Sequence, residues 1–108
     1  MQFGKYDFFG RHLIASYLGC NSAALRDTKG LVGAMKEAVK VSGATVLNSV
    51  EHTFPNSGFT SLLLLSESHA SIHTYPEYDT CFVDFFAWGD SCTVERFDTV
   101  LRNYLHPK

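Results

Sequence analysis

From Arg11 to Gly19 the chain reads Arg-His-Leu-Ile-Ala-Ser-Tyr-Leu-Gly, an apolar and aromatic run closed by Gly19 and the turn-forming pair Asn21-Ser22, and it predicts a first strand. Between Ala23 and Ser42 the rhythm changes. Leu25, Val32, Met35 and Val39, with Leu31 and Ala38 beside them, recur at helical spacing, and Gly43 follows as the glycine that ends a helix. Gly30 and Gly33 weaken this helix without breaking it, because one apolar face can still bury against a sheet. Strand patterns then return. Ala44 to Phe54 is rich in Val and Thr, Pro55-Asn56-Ser57-Gly58 is a turn cluster, and Phe59 to Leu65 carries four consecutive leucines, which predict a strand buried on both faces. His69 to Thr74 forms a short strand ending before Pro76, and Thr80 to Ala87 another with Phe82, Phe85 and Phe86. Val94, Phe97, Val100, Leu101, Tyr104 and Leu105 trace a second helical stripe, with Asp90 or Ser91 as its N-cap.

The resulting order is β, α, β, β, β, β, α. Strands joined by short turns favour an antiparallel sheet, and two amphipathic helices on one face give an α+β fold, a two-layer α/β sandwich. The opposite face needs cover. With Phe3, Phe8, Phe9, Phe59, Phe82, Phe85, Phe86 and Trp88 to distribute, the expectation is a homodimer packed through the sheet side. No linker, repeat or low-complexity segment divides the chain, so residues 1–108 read as a single domain.

Composition narrows the function classes. Apolar residues make up 45% and charged residues 19%, and the net charge is −2, which suits a globular domain and gives no reason to expect a nucleic-acid partner. No run approaches the roughly 20 apolar residues of a membrane span. The first residues, Met-Gln-Phe-Gly-Lys-Tyr-Asp, lack the basic-then-apolar order of a signal peptide, and the expected location is cytoplasmic. Cys20, Cys81 and Cys92 are an odd number at wide spacing, which fits neither a disulfide framework nor a metal clamp; Cys20 and Cys81 read as small buried hydrophobes.

The densest chemistry lies in Ser66-Glu67-Ser68-His69-Ala70-Ser71-Ile72-His73-Thr74-Tyr75-Pro76-Glu77-Tyr78. The Glu67 carbonyl adjoins the Ser68 hydroxyl, and His69 or His73 is close enough in sequence to supply a base, the equipment for a chain that attacks itself. Attack by Ser68 would turn the peptide into an ester by an N-to-O acyl shift. Removal of the Ser68 α-proton would then eliminate the Glu67 carboxylate, leaving residues 1–67 and a fragment 68–108 that begins with dehydroalanine, which water hydrolyses to a pyruvoyl group with loss of ammonia. On these residues alone a structural role stays open, since serines beside glutamates also serve as turn or capping residues. His69 and His73, four apart on a strand, point to one face, yet no third ligand accompanies them and no metal is expected.

The segment Ser66-Glu67-Ser68-His69-x-x-Ile72-His73-Thr74-x-Pro76-Glu77-Tyr78, with Gly10-Arg11-His12-Leu13 upstream and Ser42-Gly43-Ala44-Thr45 after the helix, resembles the short prokaryotic S-adenosylmethionine decarboxylase proenzymes from about Gly10 to Gly89. The resemblance implies that Ser68 becomes a pyruvoyl cofactor after cleavage on its N-terminal side at Glu67. It implies a processing role for His73 as the base of the ester elimination. It implies a supporting hydroxyl at Thr60, two residues after Gly58, where the family has serine. Phe54 matches an aromatic that stacks on adenine, and Glu77 a carboxylate that holds the ribose hydroxyls. The pyruvoyl ketone would capture the substrate α-amine as a Schiff base and accept the electrons released with carbon dioxide. Phe9, Tyr75 and Phe54 are candidates to hold a sulfonium by cation–π attraction. The implied assembly is a homodimer with active sites at the subunit interface, serving polyamine (spermidine) synthesis.

One departure from the family pattern is chemical. A cysteine proton donor should precede Gly89, where this chain has Trp88, and an indole is no acid near neutral pH. The proton must then come from His73, from water, or from Cys92, four residues further at an expected helix N-terminus. The second departure is length: the resemblance fades near the second helix, and the chain ends at Lys108 without the tail many members carry. A tryptophan in that place could narrow the pocket toward a smaller amino acid, so pyruvoyl-dependent decarboxylation of L-ornithine or L-arginine is an alternative, with Glu77 or Asp84 meeting the distal cation. A third reading is an inactive homologue that binds a ligand or a partner subunit.

Overall fold

The computed structural model describes residues 10–66, 68–88 and 93–108. Nine elements follow in the order β1 (Gly10–Tyr17), α1 (Ser22–Arg26), α2 (Thr28–Val41), β2 (Val46–Thr53), β3 (Phe59–Leu65), β4 (His69–Tyr75), a 3-10 turn (Pro76–Tyr78), β5 (Thr80–Trp88) and α3 (Val94–Leu105). The strands form one sheet in the order β1-β5-β4-β3-β2, and all four neighbouring pairs are antiparallel. The segment carrying α1 and α2 takes the chain from one edge strand to the other. The expected α+β sandwich is therefore present.

Its core lies between the helices and one face of the sheet. Leu31, Met35, Ala38 and Val39 of α2 and Val94, Phe97, Leu101 and Leu105 of α3 are buried. They meet Leu63, Leu65, Ala70, Ile72, Cys81, Val83, Phe85 and Ala87 from the strands. The Phe85 and Phe97 rings stack at 4.5 Å between centroids. Cys20 and Cys81 are free and buried, as expected of small hydrophobes outside any disulfide framework. Among the described residues no helix is long and apolar enough to cross a membrane.

Four expectations need correction. The helix expected over 23–42 is two helices, because Asp27 ends α1 and caps α2, its carboxylate accepting from the Gly30 amide at 3.0 Å. Asn21 caps α1 in the same way, accepting from the Ala24 amide at 2.9 Å. Gly30 is also no weak point. A Cβ there would lie 2.5 Å from both the Asp27 carboxylate and the Tyr104 hydroxyl, so the close approach of α3 depends on its absence. The four leucines are not buried on both faces of this chain: Leu63 and Leu65 are buried, whereas Leu62 and Leu64 are 48% and 56% exposed on the side away from the helices. Finally, Thr93 occupies the N-cap position of α3; Asp90 and Ser91 lie outside the described residues.

Candidate active site

Period-two alternation decides which side chains reach the helix-free face of the sheet. On β3 these are Thr60, Leu62 and Leu64, and on β4 His69, Ser71, His73 and Tyr75. The antiparallel register sets Thr60 opposite His73 and Leu64 opposite His69. Thr60 Oγ1 lies 2.9 Å from His73 Nδ1. His69 and His73 thus share a face, as their spacing predicts, but His69 begins β4 and His73 lies four residues further along it.

Around His73 the turn between β2 and β3 folds over the end of the sheet. Ser57 takes a positive φ of 72°, the Phe54 amide donates to the Gly58 carbonyl at 2.7 Å, and the Phe59 amide donates to Thr74 Oγ1 at 3.0 Å. The result is a cleft of roughly 470 Å³ lined by Phe54, Asn56, Gly58, Thr60, His73 and Tyr75, with Pro55 and Thr74 behind them. That size is within the usual range for a small-molecule site. Asn56 joins it to Glu77, donating to Glu77 Oε2 at 3.3 Å while its own Oδ1 accepts from the Gly58 amide. The Phe54 ring is edge-on to His52 at 4.6 Å, and the Tyr75 ring edge-on to Phe82 at 5.3 Å. Phe54 and Tyr75 remain 46% and 43% exposed, so the cleft is open on the side of the bare sheet.

Ser68 lies elsewhere, in the tight link between β3 and β4 that is closed by the Leu65 amide donating to the Ser68 carbonyl at 2.9 Å. Five residues of extended chain put Ser68 about 16 Å from His73. Beside Ser68 is a second polar group. Ser68 Oγ is 3.4 Å from His69 Nδ1, and His69 Nε2 is 3.0 Å from Asp84 Oδ2. His12 Nε2 approaches the same carboxylate oxygen at 2.8 Å, and the Ser71 hydroxyl donates to Asp84 Oδ1. Partial burial alone would raise the Asp84 carboxyl, but the hydrogen bonds from Ser71, His12 and His69 outweigh it and hold it below the usual carboxylate range.

This second group was not assembled from the sequence. A third donor does lie beside His69, contrary to expectation, but it is Asp84 with His12 rather than anything near His73. Their ligand-type atoms fall within 4.8 Å of one another. Both imidazole Nε2 atoms are already directed at one carboxylate oxygen, which makes this a closed hydrogen-bond cluster. The signal available in the sequence was the alternation of His69, Ser71 and His73 against Phe82, Asp84 and Phe86; the missing information was the register, which pairs Ser71 with Asp84 and Ile14 with Asp84. Of the remaining expected site residues, Glu67, Phe9 and Cys92 lie outside the described residues. Trp88 ends β5, opposite Gly10.

Known proteins share this arrangement of elements and much of this sequence. The sequence pattern of the family described as S-adenosylmethionine decarboxylase matches residues 11–108, which extends the resemblance through α3, beyond the Gly89 limit expected from the motifs. The S-adenosylmethionine decarboxylase proenzyme of Thermosipho melanesiensis is 43% identical over 81 residues, covering 75% of this chain and 62% of that protein. The proenzyme of Parasynechococcus marenigrum is 43% identical over 96 residues, 89% of this chain and 75% of the other. The crystal structure of the adenosylmethionine decarboxylase from Aquifex aeolicus superposes with a TM-score of 0.84 at 29% identity, covering 95% of this chain and 85% of that one. A match over nearly the whole sheet and all three helices, at this level of identity, leaves one assignment: the chain belongs to the S-adenosylmethionine decarboxylase family.

Proposed function

We propose that this chain is a self-processing, pyruvoyl-dependent decarboxylase whose substrate is S-adenosylmethionine. The observation that carries the reading is the cleft that gathers Phe54, Thr60, His73 and Tyr75, with Glu77 tied to its rim, in a member of this family. Phe54 offers a flat apolar face for a purine, Glu77 two acceptors for a ribose diol, and Tyr75 a π-face for a sulfonium. Phe9 would join this binding set.

Ser68 fits the origin of the pyruvoyl group: it occupies a tight, half-buried link and its hydroxyl is within reach of an imidazole. When present, that group supplies the ketone that captures the substrate amine and takes up the electron pair released with carbon dioxide. Cleavage between Glu67 and Ser68 would give fragments 1–67 and 68–108. His73, oriented by the Thr60 hydroxyl, serves as the base for the Ser68 α-proton, but about 16 Å of strand separates them in one chain. A second copy packed against the bare sheet face meets this requirement, bringing its own Thr60 and His73 to the Ser68 of the first. Ile14, Leu62, Leu64 and Phe82 are 75%, 48%, 56% and 44% exposed on that face and would be covered by the same contact. Cys92 is the proposed source of the returning proton in place of the family cysteine.

Trp88 favours a second substrate reading, in which L-ornithine or L-arginine is decarboxylated. Glu77 would then meet the distal cation, since Asp84 is engaged by His12, His69 and Ser71.

Intact mass of the purified chain tests the processing step: two fragments split at Glu67-Ser68, the second carrying a reactive carbonyl, are expected, and Ser68→Ala should stay whole. Release of labelled carbon dioxide from carboxyl-labelled S-adenosylmethionine, ornithine or arginine then identifies the substrate. A chain that stays uncut and carbonyl-free would sink the proposal and leave a binding subunit.

A further inference from the structure

We infer that His69 is the base that takes the Ser68 hydroxyl proton in the first step of self-cleavage, and that Asp84 is its positioning residue. The inference rests on the self-cleaving reading above and concerns a step that His73 cannot perform from within the same chain. His73 lies about 16 Å along β4, whereas His69 Nδ1 is 3.4 Å from Ser68 Oγ.

The carboxylate decides which nitrogen is available. Asp84 Oδ2 is an acceptor 3.0 Å from His69 Nε2, so that nitrogen carries the proton and Nδ1 presents its lone pair to the Ser68 hydroxyl. Asp84 is itself fixed from two sides, by His12 Nε2 at 2.8 Å and by the Ser71 hydroxyl on its other oxygen. The chain Ser68–His69–Asp84 therefore has the nucleophile, base and orienting acid of an acyl-transfer site, built across β4 and β5 with His12 from β1 as a brace. The 3.4 Å separation is the loose end of this chain, as is common before the reacting geometry is reached.

The step balances without any outside reagent. Nδ1 accepts the Oγ proton as Oγ bonds to the carbonyl carbon of Glu67. The bond from that carbon to the Ser68 nitrogen then breaks, and the proton passes from Nδ1 to the departing nitrogen, leaving an ester and a free amine with His69 neutral again. The groups facing His69 are Asp84 and the Phe86 ring from β5, His12 from β1 and Leu64 from β3. Asp84 is thus the counter-charge that stabilises the transient imidazolium.

Cell-free synthesis of the full chain, moved rapidly into buffers from pH 5 to 9 and followed by gel and mass spectrometry, measures the cleavage rate. His69→Ala should slow it by on the order of a hundredfold or more, and added imidazole should restore part of the rate. Asp84→Asn, which keeps shape, should slow cleavage and move the acid limb of its profile to lower pH, because the imidazolium loses its counter-charge. Circular dichroism of each variant reports folding, and if His69→Ala does not fold, the Asp84→Asn profile decides. Wild-type rates in folded His69→Ala, or an unshifted acid limb in Asp84→Asn, overturn the inference while wild-type splitting still upholds the self-cleaving reading. Cleavage that stops in chelator and returns with a divalent ion would overturn it too, by making the cluster a metal site. A wild-type chain that never splits overturns both.

Discussion

Thr60 Oγ1 stands 2.9 Å from His73 Nδ1 across the β3–β4 ladder, at positions directly opposite in register. A hydroxyl there fixes the imidazole ring without adding a charge. Thr60→Ser keeps the oxygen and should keep processing within a few-fold of the parent. Thr60→Val keeps the shape, removes the oxygen and should slow processing about tenfold to a hundredfold by letting the ring turn. Timed mass spectrometry of freshly synthesised chains separates the two, and equal rates for both variants would remove Thr60 from the processing machinery.

The bare sheet face makes a prediction about assembly. Leu62 and Ile14 are 48% and 75% exposed on the side opposite the helices. Leu62→Lys or Ile14→Lys should leave the helix-facing core intact and yet abolish a sheet-to-sheet dimer, since two like charges per interface would be desolvated without partners. Sedimentation equilibrium should show a monomer, and the same variants should process slowly because His73 no longer reaches a second copy. A variant that stays dimeric would place the interface elsewhere.

Two glycines of α2 should respond oppositely to alanine. Gly33 is exposed and a Cβ there meets nothing within 4 Å, so Gly33→Ala should stabilise by roughly 0.5–1 kcal/mol through helix propensity alone. Gly30→Ala drives a methyl into the Asp27 cap and the Tyr104 hydroxyl, which donates to the Ala24 carbonyl at 3.0 Å. It should cost about 1–3 kcal/mol as an overpacked contact, less whatever propensity returns. Chemical denaturation of the three proteins checks the sign of both changes.

Alkaline pH should weaken the fold through Tyr17. Burial, then its hydrogen bond to Asp98, push the Tyr17 hydroxyl well above the ordinary value of 10.0. Burial does the same to the Cys81 thiol, which starts from 9.0. In each case the unfolded chain loses its proton first. Their contributions are therefore complete below about pH 9 and are lost progressively as pH rises toward the folded-state values. Tyr17→Phe should be less stable than the parent at pH 8 and show a smaller further loss by pH 10.5, as read from urea midpoints. An equal pH dependence in both proteins would remove Tyr17 from the account.

Much of this layout was legible because it is local. The alternation of His69, Ser71 and His73 places them on one face, and the 94–105 stripe forms a helix with its expected buried residues. The break at Asp27 was also written locally, as an Asp three residues before Gly30, but a continuous apolar stripe from Leu25 to Val39 masked it. The four-leucine run misled for a different reason: Leu62 and Leu64 lie on the sheet face that the helices of this chain do not cover. The Asp84 cluster was illegible in principle to spacing arguments, since residues 12, 69 and 84 meet only through the β1–β5–β4 register. In the cleft, Asn56 read as a turn former, and its second role of holding Glu77 comes from where the 3-10 turn ends.

The strand order carries a consequence for timing. A cut ahead of Ser68 would assign β1, β2 and β3 to one piece and β4 and β5 to the other, yet β4 and β5 lie between β1 and β3. The paired β4 and β5 of the smaller piece fit between β1 and β3 of the larger, so neither piece owns the whole sheet or a closed interior. On the self-cleaving reading the sheet would have to assemble before the cut, and the two fragments would stay interlocked through their shared strand ladders.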